Sequence, residues 1–287
     1  MPFMQRANAR IHYEDTGKGE PIITTHGVGE NGGYWSEPGV TARLAERYRV
    51  VSMDMRAHGK TVVDGEPYGF DVETVADDIG ALADHLGLER FHLLTHATGG
   101  MAGVRYAMTR SARLISLMLT DTGSATQLLF PEMDEEQTRQ ALDLWIAAFE
   151  NATPDQVVEG AKVSPGPFLF RMAQLPDAER MYGIWERILR GGDLKTVAKF
   201  LGSFYTDPDP HVEELRRIKC PTLVLLGEYD LVFIEASETM AKEIPDVRHV
   251  VMKGIGHMTA IEDTDGTIRE ILDFLDTVAA TGRATRR

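Results

Sequence analysis

The chain has only one cysteine, Cys220, in 287 residues. A lone thiol rules out an internal disulfide and leaves no basis for a cysteine zinc site. Basic blocks are also missing: 30 Lys and Arg stand against 44 Asp and Glu, a net charge of −14. Phosphate contacts need clustered cations, so a nucleic-acid partner is excluded and an anionic membrane surface is disfavoured. No run approaches the roughly 18 apolar residues of a membrane helix. The opening stretch MPFMQRANARIHYED lacks the apolar core of a signal peptide. A soluble, cytoplasmic protein is the expectation. The nine histidines show no two-His-plus-carboxylate spacing, so neither a metal nor a cofactor is expected. There are no internal repeats, and a homodimer stays open.

What is present is a hydrophobic fraction of 43%, enough for a large core or two smaller ones. Short β-rich runs alternate with longer helical patterns. Residues 21–25 (PIITT), 49–53 (RVVSM), 91–95 (FHLLT), 114–120 (LISLMLT), 221–226 (PTLVLL) and 247–252 (VRHVVM) read as strands. Most are continuous apolar runs, which suits strands covered on both faces of a parallel sheet. Helical spacing occupies about 36–47, 71–86, 99–110, 234–243 and 264–279; Val75, Ile79, Leu82 and Leu86 make one clear stripe. Residues 3–13 read as a pair of edge strands. The alternation predicts an α/β protein with a doubly wound, mostly parallel sheet.

Residues 122–212 break that alternation. They hold no clear strand, at least four helical patterns, and ten of the chain's 22 aromatics. This predicts a core of residues 1–121 and 213–287 with a helical lid, 122–212, inserted over a pocket. The aromatics divide between lining that pocket and packing the lid itself. The acidity is spread over both parts and reads as a solubility feature.

The stretch Phe91-His-Leu-Leu-Thr-His-Ala-Thr-Gly-Gly100 passes from a strand through a tight turn of small residues into a helix. It resembles the nucleophile elbow, G-x-S-x-G, of the α/β-hydrolase fold family. Thr95 replaces the first glycine, and Ala97 occupies the nucleophile's place. Four further segments resemble family motifs in order. His26-Gly27-Val28 resembles the oxyanion segment, and Asp54–Gly59 the D-x-R-G-H-G segment. Gly227-Glu-Tyr-Asp230 resembles the acid turn, and Gly254-Ile-Gly-His-Met258 the histidine turn. The resemblance covers about residues 3–280. It implies His257 as general base, Asp230 as its partner, and the amides of Val28 and Thr98 as the oxyanion hole. Asp121 is the reserve acid. The frame looks closest to serine esterases, lactonases and cofactor-free haloperoxidases.

A methyl group cannot attack a carbonyl, so three readings of Ala97 compete. It replaces a nucleophilic serine and leaves an impaired form that still binds ligand. It is natural, and a His–Asp dyad works without a covalent nucleophile, in C–C hydrolase, lyase or cofactor-free oxygenase chemistry. Or the chain is a binding protein. The intact acid and histidine turns favour the first reading.

The expected partner is a small ester or lactone with an apolar or aromatic part. Gly27, Trp35, His96, Trp145, Phe168, Phe170, Trp185, Val232, Phe233 and Met258 are the candidate pocket residues. For Trp35, Val232 and Phe233, ordinary core packing is the competing role. His96 has a local packing role as its alternative, and His58 reads as structural. Met258 stands where the family's C–C bond hydrolases typically carry Trp, which lowers that reading.

Overall fold

The structure is a computed structural model that describes residues 2–128, 130 and 133–285. Its strands are β1 (Phe3–Gln5), β2 (Ala9–Gly17), β3 (Pro21–Thr25), β4 (Arg49–Met53) and β5 (Val62–Val63), then β6 (Phe91–His96), β7 (Leu114–Thr120), β8 (Thr222–Gly227) and β9 (Val247–Met252). They form one sheet in the order β1-β2-β4-β3-β6-β7-β8-β9, with β5 paired to β2. β2 runs antiparallel to its neighbours; from β4 to β9 every pairing is parallel. The inner strands β6 and β8 are buried at every position; β8 carries the unbroken apolar run Leu223–Leu226, while β6 also buries His92, Thr95 and His96. Edge strand β9 is only partly covered and alternates.

Helices α1 (Gly33–Ser36), α2 (Val40–Leu44), α3 (Val72–His85) and α4 (Ala97–Arg110) connect the first strands. One helix was expected over 36–47. Two short ones form instead, because Pro38 and Gly39 interrupt the backbone and Gly39 takes φ +105°. α3 is capped by Asp71, whose side chain accepts the Thr74 N–H; it buries Val75, Ile79 and Leu82 and packs beside α4.

Between β7 and β8 the chain is helical: α5 (Glu135–Asn151), α6 (Pro154–Val163), α7 (Gly166–Leu169), α8 (Ala178–Leu189), α9 (Leu194–Phe204) and α10 (Val212–Leu215). Capping boxes open α5 (Asp134, Gln137) and α6 (Thr153, Gln156). The two ends of this insertion meet. Thr126 and Gln127 N–H donate to the Asp207 carbonyl (2.9 and 2.8 Å), and Asp207 N–H donates to Thr126 Oγ1 (3.0 Å). Arg105 of α4 pins that junction by an ion pair to Asp207 at 2.8 Å. After β8, α11 (Ile234–Glu243), α12 (Thr259–Glu262) and α13 (Thr264–Thr281) complete the layers. Among the described residues no helix is long and apolar enough to cross a membrane.

Candidate active site

Four turns at the C-terminal ends of parallel strands bring the site together. The turn from β6 into α4 places Ala97 at φ +46°, a left-handed conformation that costs a non-glycine residue about 1–2 kcal/mol. Close packing holds it there. Thr122 Oγ1 donates to the Ala97 carbonyl at 2.6 Å, and Gly99 N–H donates to the His26 carbonyl at 2.9 Å. A Cβ on Gly99 would stand 2.5 Å from that carbonyl oxygen, and one on Gly100 would stand 2.5 Å from Thr122. The small residues of the elbow are thus a steric requirement.

His257 follows β9, and its Nδ1 lies 2.9 Å from Oδ2 of Asp230, which follows β8 and is fully buried. The two turns touch so closely that a Cβ on Gly227 would stand 1.9 Å from the Gly256 carbonyl oxygen. Glu262 braces the histidine turn by accepting the N–H groups of Gly256 (2.6 Å) and Met258 (3.3 Å). Asp121 accepts from Gly227 N–H (3.0 Å) and Thr259 Oγ1 (2.7 Å); burial and the Asp230 charge push its carboxyl well up. It braces the acid turn, and Asp230 alone of the two reaches His257.

His96 stacks on Tyr34 (3.9 Å between ring centres) and lies 4.9 Å from the His257 ring. Burial holds its imidazole well below the usual range, so it is neutral. Across the loop after β3, Gly27 N–H donates to Glu30 Oε2 at 2.6 Å, and burial pushes the Glu30 carboxyl up to about 8. The Val28 N–H meets no protein acceptor among the described residues. The Thr98 N–H lies in the first turn of α4, where amides lack helical acceptors.

Gly27, Val28, His96, Ala97, Thr98 and His257 open onto a cavity of about 300 Å³. Trp145, Phe168, Trp185, Phe233 and Met258 form its walls, with Phe168 4.5 Å from the His257 ring. Three expected pocket residues lie elsewhere. Trp35 is fully buried and spends its indole N–H on the Thr25 carbonyl at 2.9 Å, so it is core. Phe170 turns away from the cavity to meet the Tyr229 ring. Val232 packs against the core from the rim of the acid turn. Glu30 and Tyr205 line the cavity unforeseen; the Tyr205 hydroxyl bonds Thr98 Oγ1 at 2.6 Å. Among the described residues no cluster of three His, Cys, Asp or Glu side chains could hold a metal. Cys220 is buried, and its thiol is pushed up to about 12.

The family model for the alpha/beta hydrolase fold matches residues 20–264. The chain belongs to the alpha/beta hydrolase fold family. A Comamonas testosteroni 2-hydroxy-6-oxononadienedioate/2-hydroxy-6-oxononatrienedioate hydrolase is 29% identical to this hydrolase-fold chain, over 94% of it and 92% of the relative. Among solved structures, the enol-lactonase of Burkholderia xenovorans LB400 superposes with a TM-score of 0.77 at 22% identity, covering 96% of this chain and 100% of that one. A carboxylesterase structure from Nitrososphaera gargenis gives 0.83 at 20% identity, covering 97% and 99%. At those identities the structures speak for the fold. The family and its relatives place the chain among hydrolytic enzymes.

Proposed function

We propose that the site binds a carboxylic ester or lactone with an apolar or aromatic part, under a lid formed by the helical insertion. The observation that carries this is the His257–Asp230 pair, 2.9 Å apart, with His257 at an aromatic-walled cavity that Val28 and Thr98 also line. His257 is the base and Asp230 fixes its tautomer. The two amides receive the carbonyl oxygen as it gains charge.

Ala97 stands where a serine completes the triad. Removing such a serine costs on the order of 10⁶ in kcat in a serine protease while binding survives. The chain as it stands therefore holds its ligand and turns it over slowly. A second reading is dyad chemistry, with His257 activating water directly. It is favoured by the hydroxyls nearest Ala97: Thr98 is bonded to Tyr205, and Thr122 donates to the Ala97 carbonyl, so neither replaces the missing nucleophile.

The test is Ala97→Ser, assayed on short p-nitrophenyl esters and lactones, with mass spectrometry for an acyl adduct and labelling by a serine-directed phosphonate. Burst kinetics and an adduct on residue 97 are expected. Failure to trap any acyl-enzyme on the restored serine would sink the triad reading. Full activity of the Ala97 protein, abolished by His257→Ala, would select the dyad.

A further inference from the structure

Charge is distributed unevenly between this cavity and the rest of the surface. Among the described residues that line the cavity, none is Lys or Arg. The cation in the adjoining turn, Arg171, is committed: its Nε donates to the Gly254 carbonyl at 2.7 Å and its guanidinium lies over the Tyr229 ring. Among the described lining residues the one carboxyl is that of Glu30, and it is itself buried. Its Oε2 is used by Gly27, and its Oε1 lies 3.7 Å from Nε2 of the neutral His96, beyond hydrogen-bond range. A Cβ placed on Gly27 would touch both Glu30 Oε2 (2.9 Å) and the Ala97 methyl (3.2 Å). The buried acid and the reacting position are therefore only one side chain apart.

We infer that this cavity selects substrates that are uncharged along their whole length and rejects those bearing a carboxylate away from the reacting carbonyl. The inference rests on the ester or lactone reading and names the substrate class within it. An anion entering such a cavity gives up its hydration and meets no cation, a cost of several kcal/mol unless it is paired. An uncharged ester of the same shape loses little and keeps its carbonyl directed at the Val28 and Thr98 amides. The same wall acts on the product. Hydrolysis converts a neutral ester or lactone into a carboxylate beside Glu30, a species that the cavity holds poorly and releases to water.

The test uses the Ala97 protein and a matched pair of probes, dimethyl suberate and monomethyl suberate, at pH 7. Binding is read from the fluorescence of Trp145 and Trp185, which line the cavity. The diester should bind at least roughly tenfold more tightly than the monoester, a floor set well below the full cost of an unpaired buried charge. Ser164→Arg adds a cation at an exposed point of the cavity rim. It should strengthen monoester binding and bring the ratio below about threefold, with the diester little changed. Equal affinities in the parent protein, or a ratio unmoved by Ser164→Arg, overturn the inference. Binding of neither probe overturns the ester reading beneath it.

Discussion

Replacing Glu30 by Gln probes the buried acid without needing a substrate. In the folded chain burial pushes this carboxyl up to about 8, against 4.5 for a free glutamate. Between those two values the folded state keeps a proton that the unfolded chain has lost. Folding thus takes up a proton, and stability falls as pH rises from about 4.5 to about 8, then levels. The full span of about 3.5 pH units corresponds to about 5 kcal/mol, of which about 3 kcal/mol falls between pH 6 and pH 9. No solvent discount applies, because Glu30 is only 4% exposed. Glutamine keeps an oxygen for the Gly27 N–H, now 2.6 Å from Oε2, and carries no ionisable proton. Urea unfolding of both proteins, followed by tryptophan fluorescence across pH 6 to 9, measures the difference. The variant should gain on its parent by about 3 kcal/mol over that range with unchanged m values. A difference that stays constant with pH would refute the reasoning, and a variant that loses ground as pH rises would refute its sign.

Three further outcomes are expected. In the Ala97→Ser background, Asp230→Asn should lower kcat by about 10⁴ with folding intact, because the amide favours the wrong His257 tautomer; steady-state kinetics and circular dichroism check it. Trp35→Phe strands the buried Thr25 carbonyl and should cost about 1–3 kcal/mol in urea unfolding, while the ligand Kd stays put because Trp35 is outside the cavity. Burial drives the His58 imidazole down to about 3 and also lowers His26 and His96. At each of these histidines the unfolded chain binds a proton that the folded chain does not, so each lowers stability as pH drops below about 6.5, against the opposite slope of Glu30; His58 alone contributes a loss of about 3 kcal/mol at pH 4.5. Set against a His58→Gln variant, in which Glu30 is unchanged, the parent should lose about 3 kcal/mol between pH 7 and pH 4.5; a difference between the two that does not move with pH would contradict it.

The sheet was legible because its inner strands are covered on both faces, so runs such as Leu223–Leu226 of β8 carry apolar residues without alternation. The turns after β8 and β9 were marked by their resemblance to the family's acid and histidine turns, and Asp230 and His257 stand 2.9 Å apart there. Sequence proximity failed where facing mattered. Trp35 sits eight residues beyond Gly27 and Val232 two beyond Asp230, yet each turns inward or sideways according to a backbone path that residue type does not encode. Phe170 lies two residues past the cavity-lining Phe168 and points the other way. Glu30 was unreadable for a different reason. A carboxylate in a glycine-rich loop reads as solvated, and only the closing of β6 and the helical insertion over that loop buries it. The break at Pro38–Gly39 was present in the sequence, but the apolar spacing around it outweighed it.

Where the chain leaves the sheet at Thr126 and returns at Asp207, it closes on itself like a drawstring. Joining two points already in contact costs an entropy that grows only slowly with the length between them. Residues 128–206 can therefore change in length at little closure cost, provided that Thr126, Gln127, Asp207 and Arg105 are kept and that contacts to the core such as Arg171 to the Gly254 carbonyl and Tyr205 to Thr98 are matched. Under the proposed function, chemistry and selectivity are thereby separately heritable in this chain. The dyad belongs to the sheet, most of the wall that a substrate meets belongs to the loop of helices, and a transplant cut at these two residues would move the second without the first.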